Sequence, residues 1–128
     1  MEVLVAKSSG FCQGVKKAVD TAMIIDPFNT FLYGEIIHNE EVMKGVVERG
    51  IQVVDDIALV PNGATLIIRS HGVGKKIYKI CEERNIKIVD CTCEFVKRSQ
   101  RIVNEKFFEG KTNVINILKK VQVIFFYI

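Results

Sequence analysis

Thr65-Leu66-Ile67-Ile68-Arg69-Ser70-His71-Gly72-Val73 is the stretch on which the fold turns. Its first four residues are apolar or β-branched without alternation, so a strand here is covered on both faces. A short polar loop follows, and then Ile77, Ile80 and Cys81 recur at helical spacing up to Asn85. A doubly covered strand, a loop and a helix make the repeating unit of an α/β domain with a parallel sheet.

Similar units lie on either side. Upstream, Val3-Leu4-Val5-Ala6 reads as a strand, and the loop Ser8 to Gly14 leads to Val15, Ala18, Val19, Ala22 and Met23 on one helix face. Pro27 and Asn29 close that helix, and Phe31-Leu32-Tyr33 is the next strand. Asn39 is placed to cap a helix whose first turn carries Glu40 and Glu41. Its inward face is read as Val42, Met43, Val46 and Val47, with Gly50 as the stop. Ile51 to Val54 is a short strand, and Asp55 to Val60 one helical turn. Downstream, Ile86 to Val89 is a strand, and Phe95, Val96, Ile102 and Val103 mark a helix ended by Gly110. The expected fold is one α/β domain, a mostly parallel sheet flanked by helices.

Composition agrees. The chain has 128 residues, 48% hydrophobic and 26% charged, with only 9 Gly and 2 Pro. These values exclude a disordered or collagen-like chain and suit one globular domain. A net charge of +3 is too mild to indicate nucleic acid. No run approaches the ~18 apolar residues of a membrane span, and Met1 to Lys7 lacks the features of a signal peptide. A cytoplasmic protein is expected, with no membrane and no nucleic-acid partner. Its four cysteines are then read as thiols or metal ligands rather than disulfides.

Ligands of open parallel sheets bind beyond the carboxyl ends of the strands. Cys12, His38, His71 and Cys93 each follow a predicted strand, and so should gather on one rim. Cys81 lies on an apolar helix face and is read as core, and Cys91 as the packed member of the Cys91/Cys93 pair. For Cys12 two readings stand level: a thiolate favoured by a helix N-terminus, or a small apolar plug beside Phe11. His38 and His71, taken singly, are as well explained by loop structure as by chemistry. Lys16, Lys17, Lys75 and Lys76 are read as solvated. Separated thiolates suit an iron–sulfur cluster or zinc. Histidines and helix N-termini suit a phosphate, and the glycines of the Gly10–Gly14 and Gly72–Gly74 loops let backbone amides approach it. Together they describe a redox site for a phosphorylated small molecule.

Four segments carry a resemblance: Lys7-Ser8-Ser9-Gly10-Phe11-Cys12-Gln13-Gly14-Val15, Gly34-Glu35-Ile36-Ile37-His38-Asn39, Arg69-Ser70-His71-Gly72-Val73 and Asp90-Cys91-Thr92-Cys93-Glu94-Phe95-Val96-Lys97. In order and spacing they resemble the 4-hydroxy-3-methylbut-2-enyl diphosphate reductases of the methylerythritol phosphate route to isoprenoids. The resemblance implies a 4Fe-4S cluster held by three cysteines, of which Cys12 and Cys93 match two. His38 and His71 match histidines that contact the substrate diphosphate. It further implies a ferredoxin- or flavodoxin-like electron donor and a three-domain enzyme, of which residues 1–110 correspond to the first domain. The third cysteine, the proton-delivery glutamate and the later diphosphate contacts have no match in these residues, so no catalytic residue is assigned. Gln13 stands where the family commonly has an aromatic, and Glu94 where it has proline. Residues 111–128 read as a divergent apolar tail, as a truncation or frameshift would leave. The alternative is a non-catalytic remnant domain that binds an anion or zinc weakly.

Overall fold

The structure, a computed structural model, describes Leu4 and residues 10–108. The strand expected at Val3–Ala6 and the tail 111–128 lie outside the described residues. The elements run α1 (Gln13–Ile24), β1 (Thr30–Tyr33), α2 (Glu40–Glu48), β2 (Gln52–Val54), a 3-10 turn (Ile57–Leu59), β3 (Thr65–Ile68), α3 (Lys75–Glu83), β4 (Lys87–Asp90) and α4 (Glu94–Phe108). The strands form one sheet in the order β2-β1-β3-β4, every neighbouring pair parallel. Fold class and sheet type are as the sequence indicates.

Alternation within the strands divides the core into two layers. On one face Leu32 and Ile67 pack with Ala18 and Ala22 of α1, Val46 of α2, and Cys91. On the other, Phe31 and Leu66 pack with Val54, Val60, Ile86 and Cys81 of α3. Both faces of β1 and β3 are therefore covered, which is why those strands carry no polar alternation. Cys81 and Cys91 are buried, as read from sequence.

The helix boundaries have local causes. Asn39 accepts the Val42 amide hydrogen at 3.0 Å and caps α2. Asp56 does the same for Ala58 at the 3-10 turn. Asn85 ends α3 with φ +53°, a left-handed conformation asparagine tolerates.

Some inward positions differ from expectation. Val47 is 54% exposed, because Val46 takes the core position on α2 and its neighbour is turned about 100° away. Phe95 is 76% exposed and Ile102 is also exposed, while Gln100 and Val103 are buried among the described side chains of α4. The apolar positions located the α4 helix but not its buried face. Among the described residues no helix is long and apolar enough to cross a membrane.

Candidate functional site

A parallel sheet sends every strand's carboxyl end to the same edge. At that edge Gly34 to His38 follow β1, Arg69 to Gly72 follow β3, and Cys91 to Cys93 follow β4. The loops are tied there by backbone hydrogen bonds. The amides of Gly34, Cys91 and Cys93 donate to the carbonyls of Val54, Ile68 and Ser70 at 2.8, 3.0 and 2.9 Å. The last bond ties the Cys93 loop to the residue before His71.

Helix α1 starts at the same edge. A Cβ at Gly14 would lie 2.7 Å from Cys93 Sγ and 2.9 Å from Cys93 Cβ, so only glycine lets the first turn come this close. Cys12 lies two residues before Gly14, and the Cys12 and Cys93 loops are thereby neighbours. Cys12 is the N-cap of α1 and its carbonyl accepts the Lys16 amide at 2.9 Å. The Cys93 carbonyl accepts the Lys97 amide at 2.9 Å and plays the same part for α4. Both cysteines thus precede helix N-termini, where free amides favour negative charge. Cys12 is exposed and Cys93 half-buried. An exposed Cys12 is not an apolar plug. Beside Cys93 a cleft of about 240 Å³ opens, lined also by Gly14, Lys17 and Phe95.

The Cys93 loop is braced from below. Asp90 Oδ1 accepts the Thr92 amide at 2.9 Å, and Asp90 Oδ2 lies 3.0 Å from Lys97 Nζ. Burial alone would push the Asp90 carboxyl up, but the hydrogen bonds from Thr92 and Lys97 outweigh it and hold it below the ordinary carboxylate value. The bond to Asp90 in turn raises Lys97.

The histidines sit beside the β1 and β3 ends. His38 Nδ1 lies 3.0 Å from Glu35 Oε2, with both side chains largely in solvent. His71 is held below the ordinary imidazole value of 6.5, first by burial, then by the Arg69 guanidinium and the His38 imidazole. The His38 and His71 loops follow the parallel neighbours β1 and β3 and so leave the sheet at the same edge. A larger cleft, about 550 Å³, runs from His38 along α2 past Glu35, Glu40 and Glu48. Its carboxylates make it a poor seat for an anion. The structure therefore brings Cys93 to the start of α1, sets the His38 and His71 loops at the ends of neighbouring strands, and ties the Cys93 loop to Ser70 beside His71. Among the described residues no three His, Cys, Asp or Glu side chains converge as a metal site.

Sequence reasoning passed over two residues at this edge. Arg69 carries a charge into the rim, and Gly34 is the surface its guanidinium rests on. The signal was present: a cation directly after four strand residues, before Ser-His-Gly.

The profile of the LytB protein family matches residues 3–120. The chain belongs to the LytB family. It is 44% identical over 121 residues to a Caldanaerobacter subterraneus protein and 46% identical over 119 residues to one from Alkaliphilus oremlandii, both named 4-hydroxy-3-methylbut-2-enyl diphosphate reductase. Each alignment covers 90% of this chain and 42% of the relative, so this LytB chain spans less than half the length of those relatives. The solved E-1-hydroxy-2-methyl-but-2-enyl-4-diphosphate reductase of Plasmodium falciparum superposes with a TM-score of 0.72 at 28% identity, covering 80% of this chain and 33% of that one.

Proposed function

We propose that this LytB-family chain is the first domain of a cytoplasmic 4-hydroxy-3-methylbut-2-enyl diphosphate reductase, with residues 1–110 as the domain and its rim as one wall of the active site. The reaction is a reductive dehydroxylation. Two electrons and two protons enter, the allylic C–O bond breaks, water leaves, and isopentenyl or dimethylallyl diphosphate forms. The reading rests most on the approach of Gly14 to Cys93, which sets two cysteine-bearing loops side by side at helix N-termini.

The donor set fits part of an iron–sulfur site. Soft thiolates are the expected ligands, and Cys12 and Cys93 are those not committed to the core. The Gly14 cradle keeps α1 clear of the Cys93 sulfur. Cys12 and Cys93 would hold such a cluster from this domain, and the family's third cysteine would come from beyond the stretch matched here. When bound, the cluster supplies the electrons and a Lewis-acidic iron for the hydroxyl, recharged by a ferredoxin- or flavodoxin-like donor. The chain's own residues supply position and charge. His38 and His71 bind the diphosphate by donating hydrogen bonds to its oxygens. Lys97 and Asp90 fix the loop that presents Cys93. Orientation of this kind is the protein's main contribution when the cofactor carries the chemistry.

Anaerobic reconstitution of the chain with iron and sulfide tests the ligand assignment. Iron should bind weakly and below one cluster per chain, and replacing Cys12 or Cys93 by Ala should abolish it while Cys81→Ala does not. Undiminished iron in a Cys12→Ala/Cys93→Ala double variant would refute the assignment.

A further inference from the structure

Two arginines of the described residues tie distant segments together through side-chain hydrogen bonds. Arg49 Nη2 donates to the Ile25 carbonyl at 2.9 Å. Arg84 donates to the carbonyls of Ile57 and Val60 and to Asn62 Oδ1. Both tie elements together. Among the described residues Arg69 makes no such bond: its buried Nε has no hydrogen-bond partner, and it forms no ion pair.

Its position is nonetheless defined. Arg69 follows Ile68, the last residue of β3, and its guanidinium crosses to the end of β1. There it lies on Gly34, where a Cβ would be 2.8 Å from Nη1 and 3.3 Å from Cζ. Gly34 has φ +67°, so glycine is favoured both for the backbone turn and for the seat. The Arg69 charge is felt by His71 and by Tyr33. A cation held against Gly34, with its Nε unpartnered among the described residues and at the same sheet edge as the His38 and His71 loops, is a site prepared for an anion. The guanidinium fork suits phosphate oxygens in particular.

We propose that Arg69 is a further anion-binding residue of the rim, its guanidinium donating to a phosphate oxygen of a diphosphate-bearing ligand beside His38 and His71. This rests on the reading of the rim as a diphosphate site. Gly34 is a positioning residue that sets the height of the fork.

The test is calorimetric titration of the full chain with inorganic pyrophosphate, each variant checked for folding by its thermal melt. Arg69→Met should weaken binding by at least about tenfold, the loss of one charged hydrogen bond. Arg69→Lys, which keeps the charge and loses the fork, should weaken it several-fold and carries the comparison if Arg69→Met fails to fold. Gly34→Ala should weaken binding like Arg69→Met by displacing the guanidinium, and the double variant should be no worse than Arg69→Met alone. Wild-type affinity in folded Arg69→Met or Arg69→Lys, alongside losses in His38→Ala and His71→Ala, would overturn the Arg69 assignment and leave the rim standing. No pyrophosphate binding by the wild-type chain would overturn both.

Discussion

Gly14 and Gly45 both sit inside helices, and replacing each by alanine should move stability in opposite directions. At Gly14 the new methyl meets Cys93 Sγ at 2.7 Å and Cys93 Cβ at 2.9 Å, well inside the 3.4 Å at which ordinary contact begins. Cys93 cannot simply swing away, because its Cα is only 3.6 Å from the same point and its amide and carbonyl are both bonded. Forcing a methylene into such a contact costs typically ~1–3 kcal/mol. Helix propensity returns up to about 1 kcal/mol, less in a first turn. Gly14→Ala should therefore be about 1 kcal/mol less stable than wild type, a fall in Tm of roughly 4–8 °C for a domain of this size. At Gly45 the new methyl meets only Met23 Cε, at 3.1 Å, the tip of a flexible side chain. Gly45→Ala should gain about 0.5–1 kcal/mol from propensity alone. Thermal and urea denaturation followed by far-UV circular dichroism give both values. A Gly14→Ala chain stabilised as much as Gly45→Ala would show that α1 does not press on Cys93, and the pairing of the two cysteine loops would fall with it.

The four thiols should divide in alkylation kinetics. Cys12 and Cys93 should react quickly in native buffer, and Cys81 and Cys91 only at the rate of opening, as read by peptide mass spectrometry. Cys81→Ala should cost about 1–2 kcal/mol in urea denaturation, since it removes a buried sulfur from a packed layer, whereas Cys12→Ala should stay within about 0.5 kcal/mol of wild type. Burial pushes the Cys81 thiol above its ordinary 9.0, with Arg84 pulling it back only in part. Its contribution to stability is therefore whole below pH 9.0 and is lost as pH rises through the folded value, and Cys81→Ala should flatten that alkaline decline. His71 has the opposite sign. Its folded value lies below 6.5, so its contribution is present above pH 6.5 and fades as pH falls. Arg69→Met should move the His71 titration upward in NMR.

The sheet was legible because its strands are short apolar runs that alternate with amphipathic helices, a pattern few other folds produce. Thr65–Ile68 declared a doubly covered strand on its own. The common rim followed from topology, since parallel strands must end together, and so the cysteine and histidine loops could be placed at one edge without coordinates. Buried faces were harder to read. Val47 and Phe95 are apolar and exposed, because periodicity fixes which residues share a stripe but not how wide the covered part of it is. Gln100 is polar and buried, a position no hydrophobic pattern marks. Arg69 and Gly34 were missed for a different reason. Their relation runs between neighbouring strand ends, and a glycine chosen to make room for a guanidinium from another loop has no local signature.

The most direct measurement is reductase activity of a chimera. Residues 1–110 replace the corresponding part of the Caldanaerobacter subterraneus relative, which shares 44% identity with this chain, and turnover of 4-hydroxy-3-methylbut-2-enyl diphosphate is followed anaerobically after reconstitution. The account predicts an active chimera that loses its cluster and its turnover on Cys12→Ala or Cys93→Ala. A folded chimera without activity, or one that keeps turnover without Cys93, would contradict it.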